Sequence, residues 1–169
     1  MSAKRIALGM LLCAGMAAQN GQAAGDPGAD TAAAFARLKS LVGEWTTEDA
    51  KESLTYELIA GGTAVLERET GANRPTMLTL YHRDGNRLVL THYCMVGNQP
   101  RMAARPFDAT KSELAFEFVD ATNLASTAAG HMHSTTIRFV DANHIETEWQ
   151  FYENGKTTMT ERARYARVR

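Results

Sequence analysis

The sequence predicts an all-β protein, an up-and-down barrel of about ten short antiparallel strands preceded by a short helix. Apolar residues alternate with a period of two over most of the chain after Gly43. Pairs such as Asp84-Gly85 and Asn154-Gly155 separate the alternating runs, and they favour tight hairpins because glycine accepts a positive φ. Many short strands joined by hairpins leave exposed edges, and closure into a barrel removes them.

The N-terminal segment has the layout of a secretory signal peptide. Lys4 and Arg5 form a short basic region, and an apolar run that ends at Ala18 follows it. Small residues come next, and Ala23 offers a cleavage position. The apolar run is shorter than the roughly 20 residues that a membrane-spanning helix needs. An uncleaved membrane anchor is the alternative interpretation.

Charge and cysteine content exclude several kinds of partner and cross-link. The 169 residues include 18 Lys and Arg against 19 Asp and Glu, a net charge of −1. Loss of Lys4 and Arg5 with the signal leaves 16 basic against 19 acidic residues, a net charge of −3. Such a chain has no electrostatic footprint for nucleic acid. Cys13 also leaves with the signal, so Cys94 has no partner for an internal disulfide.

These features predict a periplasmic or secreted protein, without stable membrane insertion once the signal is cleaved. The oligomeric state is left open. The predicted division of the chain is a signal peptide at 1–23, a flexible spacer at 24–34 and a single β-barrel domain at 35–169.

A short helix is predicted from Thr31 to Leu41, because Phe35, Leu38 and Leu41 fall on one helical face and Gly43 follows. It would cap one end of the barrel. Ten strands are predicted after it, at Glu44–Asp49, Leu54–Ile59, Ala64–Thr70, Met77–His82, Leu88–Val96, Met102–Pro106, Glu113–Val119, His133–Val140, His144–Tyr152 and Thr157–Val168.

The segment 87–96 has two alternating faces that are almost equally apolar, so the neighbouring strand decides which one is inside. We expect the hairpin at Asp84-Gly85 to pair His82 with Arg87, and such a charged pair belongs in solvent. The face turned inward then carries Tyr81, Leu88, Leu90, His92 and Cys94.

Three later strands are assigned in the same way, since successive side chains on a strand point to opposite faces. Glu113 and Glu117 fall on an outward face, so no buried carboxylate pair is expected. The residues expected inside are Leu114, Phe116 and Phe118, then His131, His133, Thr135, Ile137 and Phe139, then Ile145, Thr147, Trp149 and Phe151.

Several motifs resemble a group of exported bacterial β-barrels of the calycin, or lipocalin-like, type. Leu41-Val42-Gly43-Glu44-Trp45 resembles the Gly-x-Trp entry to the first strand of such barrels. The segments 90–102, 121–123, 130–133 and 149–156 are similar to nitrobindin-like and fatty-acid-binding-like members. The resemblance covers about residues 35–168 and implies a lipocalin-like barrel with an internal cavity. It implies no activity, and no residue matches the haem-ligating histidine of true nitrobindins.

Two histidine motifs carry the functional hypotheses. His92-x-Cys94 and His131-x-His133 each place two side chains on one face of a strand. If the strands approach each other, imidazoles and a thiolate could form the polar end of a ligand cavity. They could also bind a metal ion or haem, or be ordinary buried histidines with hydrogen-bond partners.

The remaining candidates are a loop and a set of aromatic side chains. Asn98 and Arg101 could present donors at the barrel rim, or they could tie a structural turn together. The aromatic residues could line a pocket or fill the core. Our preferred hypothesis is a binder of a small, largely apolar molecule through Tyr81, His92, Cys94, Asn98, Arg101, Phe116, His131, His133 and Trp149.

Two alternative functions stay open. One is a metal or haem protein that uses His92, Cys94, His131 and His133. The other is a cofactor-free enzyme with a pocket histidine as general base. The sequence contains no nucleophile elbow, zinc-protease motif or phosphate-binding loop, so it suggests no reaction, and no cofactor is predicted.

Overall fold

The computed structural model describes residues 27–168, so the predicted signal peptide and the first part of the spacer lie outside the described residues. Helix α1 spans Pro27–Lys39. It begins inside the segment expected to be a spacer, and the proline at its first position explains this, because a fixed φ and a missing N–H suit that position. The helix ends before Leu41. No helix within residues 27–168 is both long enough and apolar enough to cross a membrane.

Ten strands follow the helix, and each lies within a few residues of its predicted place, which confirms the predicted fold class. A single-turn 3₁₀ helix at Ala60–Gly62 joins β2 to β3. The strands are β1 Gly43–Thr47, β2 Glu52–Ile59, β3 Ala64–Gly71, β4 Arg74–Asp84, β5 Arg87–Tyr93, β6 Gln99–Ala104, β7 Glu113–Thr122, β8 His131–Phe139, β9 His144–Glu153 and β10 Lys156–Arg167.

Every strand pairs with the next one in the chain, and β10 pairs with β1 to close the barrel. All pairs are antiparallel, so this is an up-and-down barrel. The expected pairing of His82 with Arg87 is wrong: Asp84 lies opposite Arg87, and Tyr81 lies opposite Leu90. The turn is therefore two residues long. A shift of two residues keeps the same side chains on each face.

Helix α1 covers one end of the barrel, which we call the capped end. Leu38 and Leu41 are fully buried there. The Trp45 indole N–H donates to the carbonyl oxygen of Leu41 at 2.8 Å, which fixes the entry of the chain into β1. The guanidinium of Arg37 lies 4.2 Å from the centroid of the Phe139 ring. Burial of this apolar helical face holds the helix on the barrel.

The interior differs between the two ends. Near the capped end the buried side chains are mostly aliphatic or aromatic, as expected for a packed core: Trp45, Val65, Leu88, Leu90, Leu114, Ile137, Phe139 and Ile145. Toward the opposite end, which we call the far end, the buried interior set becomes polar: Glu67, Glu69, Thr79, His92 and Thr135.

Candidate functional site

A row of polar side chains crosses the barrel wall from β2 to β5. Tyr56 lies opposite Glu67, Glu67 opposite Thr79, and Thr79 opposite His92. Residues directly opposite each other in antiparallel strands share a face. All four side chains are at most 3% exposed, so that face is the barrel interior.

Hydrogen bonds connect Glu67, Thr79 and His92 of this row to one another, and the neighbouring Tyr81 joins them. The Tyr81 hydroxyl donates to Glu67 Oε2 at 2.8 Å, and the Thr79 hydroxyl donates to Glu67 Oε1 at 3.2 Å. Thr79 Oγ1 also lies 3.0 Å from His92 Nδ1. Because the Thr79 proton points to the carboxylate, Nδ1–H of His92 is the donor in this last contact. Burial raises the pKa of Glu67, and the hydroxyl donors oppose that shift.

This series of hydrogen bonds ends at His92 Nε2, an atom that has no protein partner. His92 Nε2 is buried and makes no hydrogen bond. Its ring packs on Trp149 of β9, with ring centroids 4.7 Å apart. Burial, with a smaller contribution from Arg74, lowers the pKa of His92 to about 4, so the ring is neutral near pH 7. Thr135, opposite Trp149, also has a buried hydroxyl without a partner.

An ion-pair network closes the far end of the barrel. Arg74, at the start of β4, pairs with Glu69, with Glu52 at 3.3 Å and with Glu161 at 3.1 Å. The Tyr165 hydroxyl donates to Glu52 Oε2 at 3.2 Å. Burial raises the pKa of Glu69 to about 7, and the neighbouring carboxylates add to that shift. Arg74 thus links β2, β3 and β10 through one guanidinium.

Among the described residues, the same carboxylates form the group that most resembles a metal site. Glu52, Glu69 and Glu161 are the only described group of three or more His, Cys, Asp or Glu side chains with ligand atoms all within 4.8 Å of one another. Arg74 already pairs with all three, so the arrangement is an ion-pair network.

The predicted metal ligands do not come together. Within residues 27–168, no three of His92, Cys94, His131 and His133 bring their ligand atoms within 4.8 Å of one another. Cys94 is a free, buried thiol, and burial raises its pKa, so it is poorly suited to act as a thiolate. Metal or haem binding at these residues stays a prediction.

The expected inward orientation of His131 and His133 is wrong. A bulge between Met132 and Ser134 places Met132 opposite Phe151, whereas His131 lies opposite Tyr152. Phe151 packs against the core, so Met132 continues the inward face. The bulge adds one residue to β8, and the two histidines turn to the outer face.

On the outer face the two histidines form a small aromatic cluster. His131 Nδ1 donates to the Ala129 carbonyl oxygen at 2.7 Å, and its Nε2 accepts from His133 Nδ1 at 3.1 Å. His133 stacks between Phe118 and Tyr152, with centroids 5.1 and 4.3 Å away. His133 is half-buried and borders a surface cavity of about 310 Å³.

The other candidate residues are split between the interior and the surface. Tyr81 and Phe116 are buried and contact each other, with ring centroids 5.6 Å apart. Asn98 donates to the Gly130 carbonyl oxygen at 2.8 Å, which ties the β5–β6 turn to the start of β8. Arg101 is exposed and pairs with Asp120 on the outer wall. Its donors point away from the interior.

Sequence reasoning missed Glu67 and Glu69, and the expectation of no buried carboxylate pair is wrong. Strict alternation through β3 offered a signal, because Val65, Glu67 and Glu69 share one face. Val65 is fully buried, and the two glutamates follow it inside. The sequence does not reveal that Tyr81 and Thr79 of the neighbouring strand donate hydrogen bonds to Glu67, which compensate for the burial of its carboxylate.

Comparisons with known proteins identify no activity. No family model matches the chain, and no curated protein is similar to it at a significant level. It is similar to a solved structure of a protein of unknown function from the DUF3598 family of Nostoc punctiforme, with 11% sequence identity and a TM-score of 0.43. The match covers 78% of this chain and 49% of the other, so this chain spans about half the length of that protein.

Proposed function

We propose that this protein is an exported, calycin-like barrel that binds a small, largely apolar molecule in the far half of its interior. The polar group of the ligand meets His92, and its apolar body lies against Trp149. Burial of apolar ligand surface supplies most of the affinity, at about 25 cal/mol per Å², and the polar contact fixes the orientation.

The observation that carries the proposal is the free Nε2 of His92. Buried polar atoms are nearly always hydrogen-bonded, and an unsatisfied one costs roughly 1–3 kcal/mol. The other ring nitrogen is held by Thr79, so the imidazole cannot turn without breaking that contact. A ligand hydroxyl or amine that donates to Nε2 removes the penalty.

Several features near His92 favour a small ligand. Trp149 offers an aromatic surface 4.7 Å from the imidazole, and the Thr135 hydroxyl beside it is also without a partner.

Export is part of the proposal and rests on the sequence of the first 23 residues. N-terminal sequencing of the protein from the periplasm or medium of its own host tests it. A mature chain that begins just after Ala23 supports export. A chain that retains its N-terminus in the cytoplasm contradicts it.

Native mass spectrometry of protein purified from its own host tests ligand binding. We expect the wild-type protein to carry an additional small molecule that His92→Phe loses. His82→Phe is the matched control, because His82 lies on the outward face of β4, where its Nδ1 lies 3.2 Å from the Arg83 carbonyl oxygen. A fully folded wild-type protein that carries no additional mass contradicts the proposal, as does equal occupancy in His92→Phe.

A further inference from the structure

Two imidazole nitrogens lie close together on the outer face of the barrel. Nε2 of His131 is 3.1 Å from Nδ1 of His133, because the bulge in β8 turns both side chains to the same side. Two nitrogen ligands of one ion, each about 2.0–2.1 Å from it, are separated by about 2.8 Å in a square-planar site and by about 3.4 Å in a tetrahedral one. The observed separation lies between these two values.

His131 already makes the second hydrogen bond that is typical of a metal-ligating histidine. Its Nδ1 donates to the carbonyl oxygen of Ala129 at 2.7 Å, so the lone pair of the neutral ring is on Nε2. The side chain is 1% exposed, and this lone pair points to His133 rather than to water. A backbone carbonyl in this position fixes both the tautomer and the orientation of a ligand imidazole.

Aromatic side chains hold both imidazoles in place. His133 stacks between Phe118 and Tyr152, with interplanar angles of 18° and 19°. Phe118 also packs on His131, and the centroids of these two rings are 4.4 Å apart. The two nitrogens are therefore positioned before an ion arrives, and binding has to order fewer side chains, which increases affinity.

A carboxylate and a cavity lie beside this pair of histidines. Glu117 of β7 is opposite Ser134, and both Glu117 and His133 line the surface cavity of about 310 Å³. Within residues 27–168, no third acidic, histidine or cysteine side chain has its ligand atom within 4.8 Å of both nitrogens. Glu117 pairs with Arg105 in solvent, and exposed ion pairs are weak, so its carboxylate can move to a bound ion.

We propose that His131 Nε2 and His133 Nδ1 bind a divalent transition-metal ion of the Zn²⁺ or Cu²⁺ type, with Glu117 as the third ligand and water in the remaining position. Imidazole nitrogen suits both ions, and two histidines with one carboxylate are a common ligand set for zinc. The ion replaces the hydrogen bond between the two rings. His133 releases the proton of Nδ1 to water and takes one up at Nε2, so both rings stay neutral.

This metal site is separate from the proposed ligand site in the interior. His131 and His133 are on the outer face of β8, whereas His92 is buried inside the barrel. Neither site needs the other to be occupied. Metal binding therefore goes beyond the proposed function and is independent of it.

Isothermal titration calorimetry of the untagged protein with ZnCl₂ and CuCl₂ tests the site near pH 7.5. We expect one equivalent of either ion to bind, with Cu²⁺ bound more tightly than Zn²⁺. His133→Ala should weaken binding about tenfold or more, and it disturbs the fold less than a substitution of the fully buried His131. His144→Ala is the matched control and should leave binding unchanged, because His144 is also a half-buried histidine beside a carboxylate, that of Asp141.

Matched glutamine variants on β7 test the third ligand. Glu117→Gln should weaken Zn²⁺ binding about threefold to tenfold. Glu113→Gln is the control, because Glu113 lies on the same outward face and pairs with Arg138 instead. Circular dichroism confirms that each variant is folded before titration. Equal Zn²⁺ affinity in the two variants overturns the role of Glu117.

Nuclear magnetic resonance identifies the side chains that hold the ion. Zn²⁺ should shift the imidazole ring signals of His131 and His133 in the wild-type protein and leave those of His82 and His144 in place. Shifts confined to His82 or His144 would mean that the ion binds elsewhere on the surface and would overturn the proposed site.

Two further results would overturn the metal site. One is a folded wild-type protein that binds neither ion, or that binds as tightly as His133→Ala. The other is loss of binding in Glu52→Gln but not in His133→Ala, which would place the ion at the Arg74 network. Native mass spectrometry of wild type and His92→Phe decides the proposed function separately, whichever of these results is found.

Discussion

The capped half and the far half of the barrel are built on the same strands but bury opposite chemistry. Beneath α1, side chains such as Leu38, Leu90 and Ile145 form an apolar core. Toward the far end, the same sheet buries Glu67 and His92 in a hydrogen-bonded row. Apolar burial stabilises a fold, whereas buried carboxylates and free imidazole nitrogens destabilise it unless something compensates. The capped half therefore provides stability, and the far half is where we propose the ligand site.

The largest effect on stability is expected in the capped half. Leu114 is 2% exposed and lies opposite Ile137 on β8. Leu114→Ala should lower the free energy of unfolding by roughly 2–5 kcal/mol, because it removes packed atoms and leaves a cavity. Val119→Ala on the same strand is the control, since Val119 is 51% exposed, and its effect should stay within about 0.5 kcal/mol. Urea denaturation measures both, and equal effects would mean that the capped half is not the stabilising core.

A pH-dependent effect is expected from Glu69 in the far half. Its folded pKa of about 7 lies above the ordinary value of 4.5. The folded state therefore holds a proton that the unfolded state has lost between pH 4.5 and 7, and stability falls as pH rises through that window. Glu69→Gln cannot lose a proton, so its stability relative to wild type should rise by on the order of 3 kcal/mol from pH 4.5 to above 7.

The pKa of His92 is shifted in the opposite direction, and this shift affects stability over an overlapping range of pH. Its folded pKa of about 4 lies below the ordinary value of 6.5, so its contribution to stability is lost as pH falls from 6.5 to 4. Urea denaturation of wild type, Glu69→Gln and His92→Phe from pH 4 to 8 separates the two groups. A difference between Glu69→Gln and wild type that does not vary with pH would contradict the raised pKa of Glu69.

A moderate effect is expected at the boundary between the halves. Tyr81→Phe removes the hydroxyl that donates to Glu67 at 2.8 Å. Because the carboxylate is left buried with one donor fewer, the free energy of unfolding should fall by roughly 1–3 kcal/mol. Tyr93→Phe is the control, since Tyr93 is 49% exposed on the outside of β5. If the two substitutions have equal effects in thermal denaturation, the buried hydrogen bond from Tyr81 to Glu67 contributes nothing to stability.

The smallest effect is expected on the outer wall. Arg101 pairs with Asp120 in solvent, and exposed ion pairs contribute little. Arg101→Ala should leave the melting temperature and the affinity for small molecules unchanged within error. Loss of ligand binding in this variant would show that the sequence-based assignment of Arg101 to the site is right and that the ligand lies near the outer wall.

The fold was predictable from sequence because its signals are local. Alternation with a period of two and hairpin turns define ten strands, and a hairpin error of two residues at Asp84 leaves every face unchanged. The inward placement of His92 and Cys94 was predictable for the same reason. The outward turn of His131 and His133 was not, because the bulge after Met132 adds a residue without any sequence signal.

The chemistry of the far half depends on contacts between strands that are distant in sequence. Glu67 is tolerated inside because Tyr81 and Thr79 donate to it from β4. Glu69 is tolerated because Arg74, just after the β3–β4 turn, pairs with it, and the same guanidinium pairs with Glu161 of β10. Alternation can place a glutamate on one face, but only the closed barrel shows which partners surround it.

The emission of one tryptophan tests the central claim most directly. The chain contains two tryptophans, Trp45 under the helix and Trp149 beside His92. With Trp45→Phe as the background, titration with phenethylamine or phenethyl alcohol should change the Trp149 emission saturably, and the further substitution His92→Phe should abolish the change. Trp149→Phe, which leaves only Trp45, should show no change. A response confined to Trp45, or no saturable response to either compound, would contradict a ligand site in the far half.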